Sequence, residues 1–239
     1  MKKNKASAQL PPELQRELIE GYKLLDNDQY EASEHKLRLV LTHAPKNFDA
    51  NYMMGLITKH YRNFEVSRRF LDKAIKAKPQ MANAHSELGE VLKSVGQLKQ
   101  AIWSFNRAIN LEPKSGIYHN NLAGAYMDQG SLLQAKQSYL EAIKLGFYSA
   151  YSNLLLLTNY GLDLSMTEVF ELHKGWDRFY QSLEGFQTKS FEFDYQHKKL
   201  RIGYVSPDFN QHSVSYFFQA VVANVAPSDF RIYCYSDVA

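Results

Sequence analysis

The fold is decided by residues 79 to 113, which read PQMANAHSELGEVLKSVGQLKQAIWSFNRAINLEP. Proline stands at both ends of this stretch, so that Pro79 and Pro113 are 34 residues apart. A third proline, Pro45, precedes Pro79 by the same 34 residues. Because proline lacks an amide hydrogen and clashes with the preceding helical turn, we expect each of the three to end a helix.

Small residues keep the same period between the prolines. One register holds Gly21, Gly55, Gly89 and Ala123, a second holds Ser33, Ser67, Ala101 and Ala135, and a third holds Ala74, Ala108 and Ala142, with Val40 as the exception. Large apolar residues, which would fill the space left by the small ones, recur at Leu37, Leu71, Phe105 and Tyr139. A period of 34 residues with this alternation is typical of tetratricopeptide repeats.

The sequence therefore predicts an N-terminal tail, residues 1–13, followed by four helical hairpins over residues 14–147. Residues 148–184 are predicted to hold a degenerate repeat and a joining helix, because the period breaks at Phe147 and terminal repeats are usually atypical. Residues 185–199 lose periodicity and are interpreted as a linker.

From Leu200 onward the pattern changes from helical to β-rich. A strand is predicted from Leu200 to Val205, then a helix containing Phe217 to Val225, then a second strand from Phe230 to Tyr235. The fold class is thus mostly α, a tetratricopeptide solenoid followed by the first βαβ unit of an incomplete α/β domain over residues 200–239. Because two strands and one helix cannot cover a parallel sheet, we expect this sequence to stop inside a domain.

Composition and charge narrow the function classes. The net charge is only +3, with basic and acidic residues interleaved, so no nucleic-acid partner is expected. The single cysteine, Cys234, lies in an apolar run typical of a buried thiol, and no segment is long and apolar enough for a membrane span. We expect a cytoplasmic protein without membrane partners.

Metal and dinucleotide motifs are missing from the sequence. The histidines, including His85 and His119, lack metal-ligand spacing, so no metal site is predicted and they are interpreted as surface or groove residues. Neither a Walker loop nor a glycine-rich fingerprint occurs. Trp103 and Trp176 lie at apolar helical spacing and are predicted to pack in the core.

The loop after the first predicted strand, Ser206 to Ser213, is the candidate for chemistry. In open α/β sheets ligands lie beyond the carboxyl ends of the strands, which is where His212 falls. The residues alone leave an alternative open, in which His212 or Ser213 only caps the next helix and Asp208 only makes a turn.

A resemblance to a known family favours a functional role for this loop over simple helix capping. The stretch Leu200 to Phe217, LRIGYVSPDFNQHSVSYF, is similar to the first strand and active-site loop of the O-GlcNAc transferase and SPINDLY family. The segments from Ser152 to Leu156 and from Leu172 to Trp176 also resemble the inter-domain region of that family. Tetratricopeptide repeats placed directly before such a loop match its domain order.

The resemblance implies an inverting glycosyltransferase of the GT-B type. The family moves a sugar from a nucleotide-sugar donor, UDP-GlcNAc or GDP-fucose, to serine or threonine hydroxyls of proteins. His212 matches the family's active-site histidine and is the catalytic candidate, with Asp208, Phe209 and Ser213 in the active-site loop. No donor-binding residue can be carried over, so we expect no cofactor bound by these 239 residues alone and no activity from them.

The repeats are expected to recruit protein or peptide substrates in their groove. Many members of the family carry an asparagine ladder there, but the matching positions hold Ile19, Met53, Glu87 and Asn121. Asn121, and Asn153 in the degenerate repeat, are therefore the groove candidates. The competing hypothesis is a non-catalytic scaffold in which the hairpins bind a peptide or protein and the βαβ unit has no catalytic role.

Overall fold

The computed structural model describes residues 10–160, 164–182, 200–205 and 230–235 of the chain. Within these ranges it contains α1 Pro12–Asp26, α2 Tyr30–His43, α3 Phe48–His60, α4 Phe64–Ala77, α5 Ala82–Ser94, α6 Leu98–Leu111, α7 Gly116–Asp128, α8 Leu132–Lys144, α9 Ala150–Leu157 and α10 Met166–Gln181. A short 3-10 helix, Thr158–Tyr160, follows α9, and the strands are β1 Leu200–Val205 and β2 Phe230–Tyr235.

The helices from α1 to α8 pack as consecutive hairpins, each formed by a first helix and a second helix. The predicted tetratricopeptide solenoid is therefore confirmed. The chain divides into two compact units, Met1–Leu183 and Glu184–Ala239. The predicted limits of the tail, the joining segment and the linker stay predictions.

In the second unit, β1 and β2 pair in parallel, with Leu200 opposite Phe230 and Val205 opposite Tyr235. The helix predicted between these strands falls in residues 206–229, outside the described residues. The complete βαβ unit therefore stays a prediction.

Each of the first three hairpins is closed by a glycine of its first helix that lies against a large side chain of its second. A Cβ atom added at Gly89 would lie 2.6 Å from Cε1 of Phe105, and one at Gly55 would lie 2.8 Å from Cδ2 of Leu71. Both large side chains are fully buried. Since a separation under 3.0 Å is far inside van der Waals contact, the helices can approach this closely only where the first carries no side chain.

A second small-residue register supplies a hydrogen bond across the earlier hairpins. The hydroxyls of Ser33 and Ser67 donate to the carbonyls of Gly21 and Gly55, each at 2.7 Å. In the later hairpins Ala101 fills the corresponding position and is fully buried. The same register thus holds helices together by hydrogen bonding in one half of the array and by packing alone in the other.

A third device joins one hairpin to the next. The side chains of Asn51 and His85 reach back to the carbonyls of Pro45 and Pro79, at 3.1 Å and 2.9 Å. Because a carbonyl only accepts, Nε2 of His85 is the donor. His85 is only 4% exposed, so the interpretation of this histidine as a surface or groove residue was wrong. It is a buried side chain whose hydrogen bond to Pro79 stabilises the preceding turn.

The core prediction for Trp103 was also wrong. The Trp103 side chain is 61% exposed on α6, although its neighbours Ser104 and Phe105 are buried. Apolar spacing along a helix does not distinguish the edge of the buried stripe from its centre. Trp176, on α10, is half-buried.

The close contact at Gly89 gives a test. Alanine is favoured over glycine in a helix by about 1 kcal/mol, but a methyl group at Gly89 would collide with the ring of Phe105. We expect Gly89→Ala to lower the free energy of unfolding by about 1–3 kcal/mol, as overpacking does. Urea denaturation followed by circular dichroism measures this.

Gly124→Ala is the matched control. A Cβ atom at Gly124 would meet nothing nearer than Nζ of Lys93, at 3.6 Å, which is ordinary contact with a flexible side chain. Here helix propensity should prevail, raising the free energy of unfolding by about 0.5–1 kcal/mol. Equal effects from the two substitutions would contradict the packing account.

Candidate binding groove

The first helices of the hairpins form one continuous face of the solenoid. Helix α1 contacts α3, α3 contacts α5, and α5 contacts α7, whereas no pair of second helices in residues 10–160 packs to a comparable extent. Elements that crowd together lie on the inner side of a curved array, and such concave surfaces are where repeat proteins bind partners. The inner face is therefore the candidate site.

A chain of polar side chains runs along this face across successive repeats. Nδ2 of Asn153 donates to Oδ1 of Asn120 at 2.9 Å, and Nδ2 of Asn120 donates to Oδ1 of Asn121 at 3.4 Å. Nδ2 of Asn121 then donates to Oε1 of Glu90 at 2.9 Å. The two predicted groove residues, Asn121 and Asn153, thus belong to one hydrogen-bonded row that includes two residues missed in the sequence.

The row ends in a charged cluster formed by Lys59, Glu87 and Glu90. Nζ of Lys59 lies 2.7 Å from Oε2 of Glu90 and also contacts the carboxylate of Glu87. The side chains of Lys59 and Glu87 are only 27% and 23% exposed. Glu87 occupies a ladder position where asparagine was sought, and its partner comes from the preceding repeat.

Burial controls the electrostatics of this cluster. It raises the pKa of Glu87 above the ordinary value, and the Glu90 carboxylate raises it further, while the Lys59 ammonium opposes both. Burial alone would lower the pKa of Lys59, but the two carboxylates hold it above its ordinary value. One cation therefore compensates two partly desolvated acids.

We call the three asparagines of this row, Asn120, Asn121 and Asn153, the amide row. A cleft of about 370 Å³ opens beside them. Its lining includes Asn120, Asn121, Asn153, Lys93 and Asp128, and Nζ of Lys93 lies 3.5 Å from Oδ2 of Asp128. Side-chain amides both donate and accept, as peptide groups do. The cleft is thus suited to an extended peptide, because the backbone donors and acceptors of such a peptide have no hydrogen-bond partners within the peptide itself.

The other two ladder positions differ from the amide row. Ile19 is 56% exposed on α1, whereas Met53 is 4% exposed on α3 and belongs to the core. The ladder positions therefore change from an exposed isoleucine on α1 to the charged cluster on α5 and to amide side chains on α7 and α9. A uniform ladder is not present along residues 10–160.

The predicted catalytic loop is outside the described residues. His212, Asp208, Phe209 and Ser213 fall in the range 206–229, so their roles stay predictions. Among the residues that the structure does describe, no three His, Cys, Asp or Glu side chains group to hold a metal ion. Nor does any helix in that part of the chain have the length and apolar character needed to cross a membrane.

Parts of both compact units match known protein families. Residues 82–115 and 118–145 match the tetratricopeptide repeat, and residues 182–239 match glycosyl transferase family 41. The resemblance to the O-GlcNAc transferase and SPINDLY family is confirmed. The chain thus holds tetratricopeptide repeats followed by residues that are similar to glycosyl transferase family 41.

Curated relatives agree with this assignment. The probable UDP-N-acetylglucosamine–peptide N-acetylglucosaminyltransferase SPINDLY of Solanum lycopersicum is 34% identical over 90 residues, covering 38% of this chain and 10% of that protein. The SPINDLY protein of Petunia hybrida is 35% identical over 91 residues, with the same coverage of 38% and 10%. The match thus spans about a tenth of the length of these relatives.

Among solved structures, the crystal structure of MamA protein superposes with a TM-score of 0.63 at 19% identity. The superposition covers 74% of this chain and 98% of MamA. At this level of identity the likeness shows a shared helical-repeat fold and nothing about function.

The charged cluster makes stability depend on pH in a defined direction. Lys59→Met would leave Glu87 and Glu90 without their cation. We expect the free energy of unfolding to fall by about 1–3 kcal/mol at about pH 7, which is less than for a fully buried pair. A carboxyl group whose pKa is higher in the folded than in the unfolded state favours folding below its unfolded pKa. This contribution to stability is lost as the pH rises through the folded pKa. The deficit of Lys59→Met should therefore shrink as pH falls toward about 4.

Lys144→Met serves as the control. Lys144 pairs with Glu141 at 3.2 Å, but its side chain is 74% exposed, so the change should stay below about 0.5 kcal/mol at either pH. Urea denaturation at both pH values checks the pair of variants. A Lys59→Met deficit that does not vary with pH would show that the cluster is not held as described.

Proposed function

We propose that this chain is the N-terminal portion of a protein O-glycosyltransferase, and that the inner face of its repeats recruits the acceptor protein. The transferred sugar would come from a nucleotide-sugar donor and be attached to serine or threonine hydroxyls. The observation that supports this best is the order along the chain: tetratricopeptide matches end at residue 145 and the glycosyl transferase family 41 match begins at residue 182. The relatives' names favour UDP-GlcNAc as donor over GDP-fucose.

Acceptor binding would begin at the amide row. Asn121 already donates to Glu90, so a peptide must replace existing hydrogen bonds rather than satisfy free groups. Because each exchange breaks one hydrogen bond for every one that it forms, its net gain should be smaller than the contribution of a new hydrogen bond, about 0.5–1.5 kcal/mol. Recruitment by such a row should be weak and reversible, which suits an enzyme that must release its product.

Chemistry would depend on the loop that contains His212. Imidazole can hold or exchange a proton near neutral pH, which suits either deprotonating the acceptor hydroxyl or orienting it. Asp208, Phe209 and Ser213 would shape the same loop. In the competing hypothesis of a scaffold, none of these residues contacts a reacting group.

His212→Ala separates the two hypotheses when residues 1–239 are joined to the remaining part of a family 41 catalytic domain, so that His212 is the only copy of its active-site histidine. If His212 acts in the reaction, the rate of sugar transfer to a protein acceptor should fall by about a hundredfold or more while the melting temperature changes little. Radiolabelled donor transfer and thermal denaturation measure the two quantities.

His197→Ala, in the predicted linker, is the matched control and should leave both quantities near normal. If His212 only caps a helix, its replacement would instead cost about 1 kcal/mol of stability with almost normal turnover. That result would remove His212 from the active site. Absence of transfer by the unaltered protein with either donor would favour the scaffold.

Donor binding is expected to require more of the catalytic domain than residues 200–239. A pocket that encloses a nucleotide sugar buries most of the ligand surface, and two strands with one predicted helix cannot provide this. Isothermal titration calorimetry of the 239-residue chain with UDP-GlcNAc and with GDP-fucose should therefore show no binding. Micromolar affinity for either would contradict this prediction.

A further inference from the structure

Trp103 is an exposed aromatic side chain at a position that is polar in the neighbouring repeats. The corresponding residues are Arg69 one repeat earlier and Gln137 one repeat later, both exposed. A tryptophan that remains 61% exposed leaves a large apolar surface in water. Exposed tryptophan is also among the residues that most often anchor protein partners.

A cleft of about 300 Å³ lies beside Trp103, on α4, α5 and α6. Leu88 and Leu92 supply its apolar lining and are 8% and 4% exposed. Its charged lining consists of Arg68, Lys99 and Asp72. This outer cleft is lined by different residues from the amide row and its cleft on the inner face. It therefore offers a second surface.

Ser104 lines the outer cleft and carries an unsatisfied hydroxyl. The residue is only 1% exposed, and Oγ has no hydrogen-bond partner among the described residues. Leaving a buried hydroxyl unpaired costs about 1–3 kcal/mol. A ligand that enters the cleft with a polar group would recover this energy, so the unpaired hydroxyl indicates an occupant.

Charge on the outer helices indicates what kind of occupant fits. Helices α4 and α6 carry six basic residues against two acidic ones: Arg68, Arg69, Lys73, Lys76, Lys99 and Arg107 against Glu65 and Asp72. Arg68 lies 3.9 Å from Asp72 and Arg69 lies 3.4 Å from Glu65, whereas Lys99 has no ion pair within the described part of the chain. Of the charged residues that line the outer cleft, two are thus basic and one is acidic, and the unpaired Lys99 leaves a net positive charge there.

We propose that the outer cleft binds a short acidic segment of a partner protein. An apolar side chain of that segment would pack against Trp103 and the two leucines, with flanking carboxylates on Arg68 and Lys99 and a backbone group on the Ser104 hydroxyl. A second copy of this chain fits less well, because a twofold contact would bring two clefts of net positive charge together.

Trp103 itself can report binding. The chain has two tryptophans, so Trp176→Phe leaves Trp103 as the single one. The probe is the peptide Glu-Glu-Phe-Glu-Glu, acetylated and amidated, with Lys-Lys-Phe-Lys-Lys and Glu-Glu-Ala-Glu-Glu for comparison. We expect a saturable blue shift of Trp103 emission with the first peptide, weakened by added salt, and at least about tenfold weaker binding of the other two.

Variants of the full 239-residue chain, titrated by calorimetry, locate the site. Lys99→Glu and Trp103→Ala should each weaken the acidic peptide by about tenfold or more. Lys46→Glu, on an exposed loop lysine, and Leu133→Ala, on a leucine that is 67% exposed on α8, are the matched controls and should bind normally. Unchanged thermal denaturation would show that all four variants fold.

Three results would overturn the proposal. The first is equal binding of the lysine-flanked peptide, which would remove the charge argument. The second is equal weakening by the control variants, which would place the site elsewhere. The third is sedimentation showing a dimer that Trp103→Ala dissociates while the acidic peptide does not bind, which would make a second copy the occupant.

Discussion

The close approach of two helices at a residue without a side chain is the constraint on which this solenoid depends. Gly21, Gly55 and Gly89 each lie against a buried leucine or phenylalanine of the partner helix. Ala123 takes this position in the fourth hairpin, where Tyr139 provides the large residue. Because interiors are packed as densely as crystals, the small and large members must be matched within each hairpin.

That packing determines what the inner face presents. Once each first helix is fixed against its own second helix, neighbouring first helices align and their polar side chains meet across repeats. Lys59 reaches Glu90, and Asn121 reaches the same carboxylate from the other side. The groove is consequently tied together by hydrogen bonds before any acceptor binds, so rigidity and weak recruitment have one physical origin.

The proline spacing and the glycine register were sufficient to predict the hairpins, because each acts within one repeat. The contacts between repeats were missed, since Lys59 and Glu90 are 31 residues apart and no local pattern joins them. The repeat of a left-handed residue in the turn of each hairpin was missed as well. Residues 28, 62, 96 and 130 all have positive φ, but only the last two are glycine, so Asp28 and Arg62 concealed the period. The residues predicted for chemistry, above all His212, are still untested.

The matching of Gly89 with Phe105 is tested most directly by a double-mutant cycle. The free energy of unfolding would be measured for Gly89→Ala, Phe105→Val and the variant that carries both. If the added methyl group is harmful because it meets the ring, shrinking the ring removes that cost, and the two changes should be coupled by about 1–3 kcal/mol in the favourable direction. Additive effects would contradict the claim that this contact sets the geometry of the hairpin.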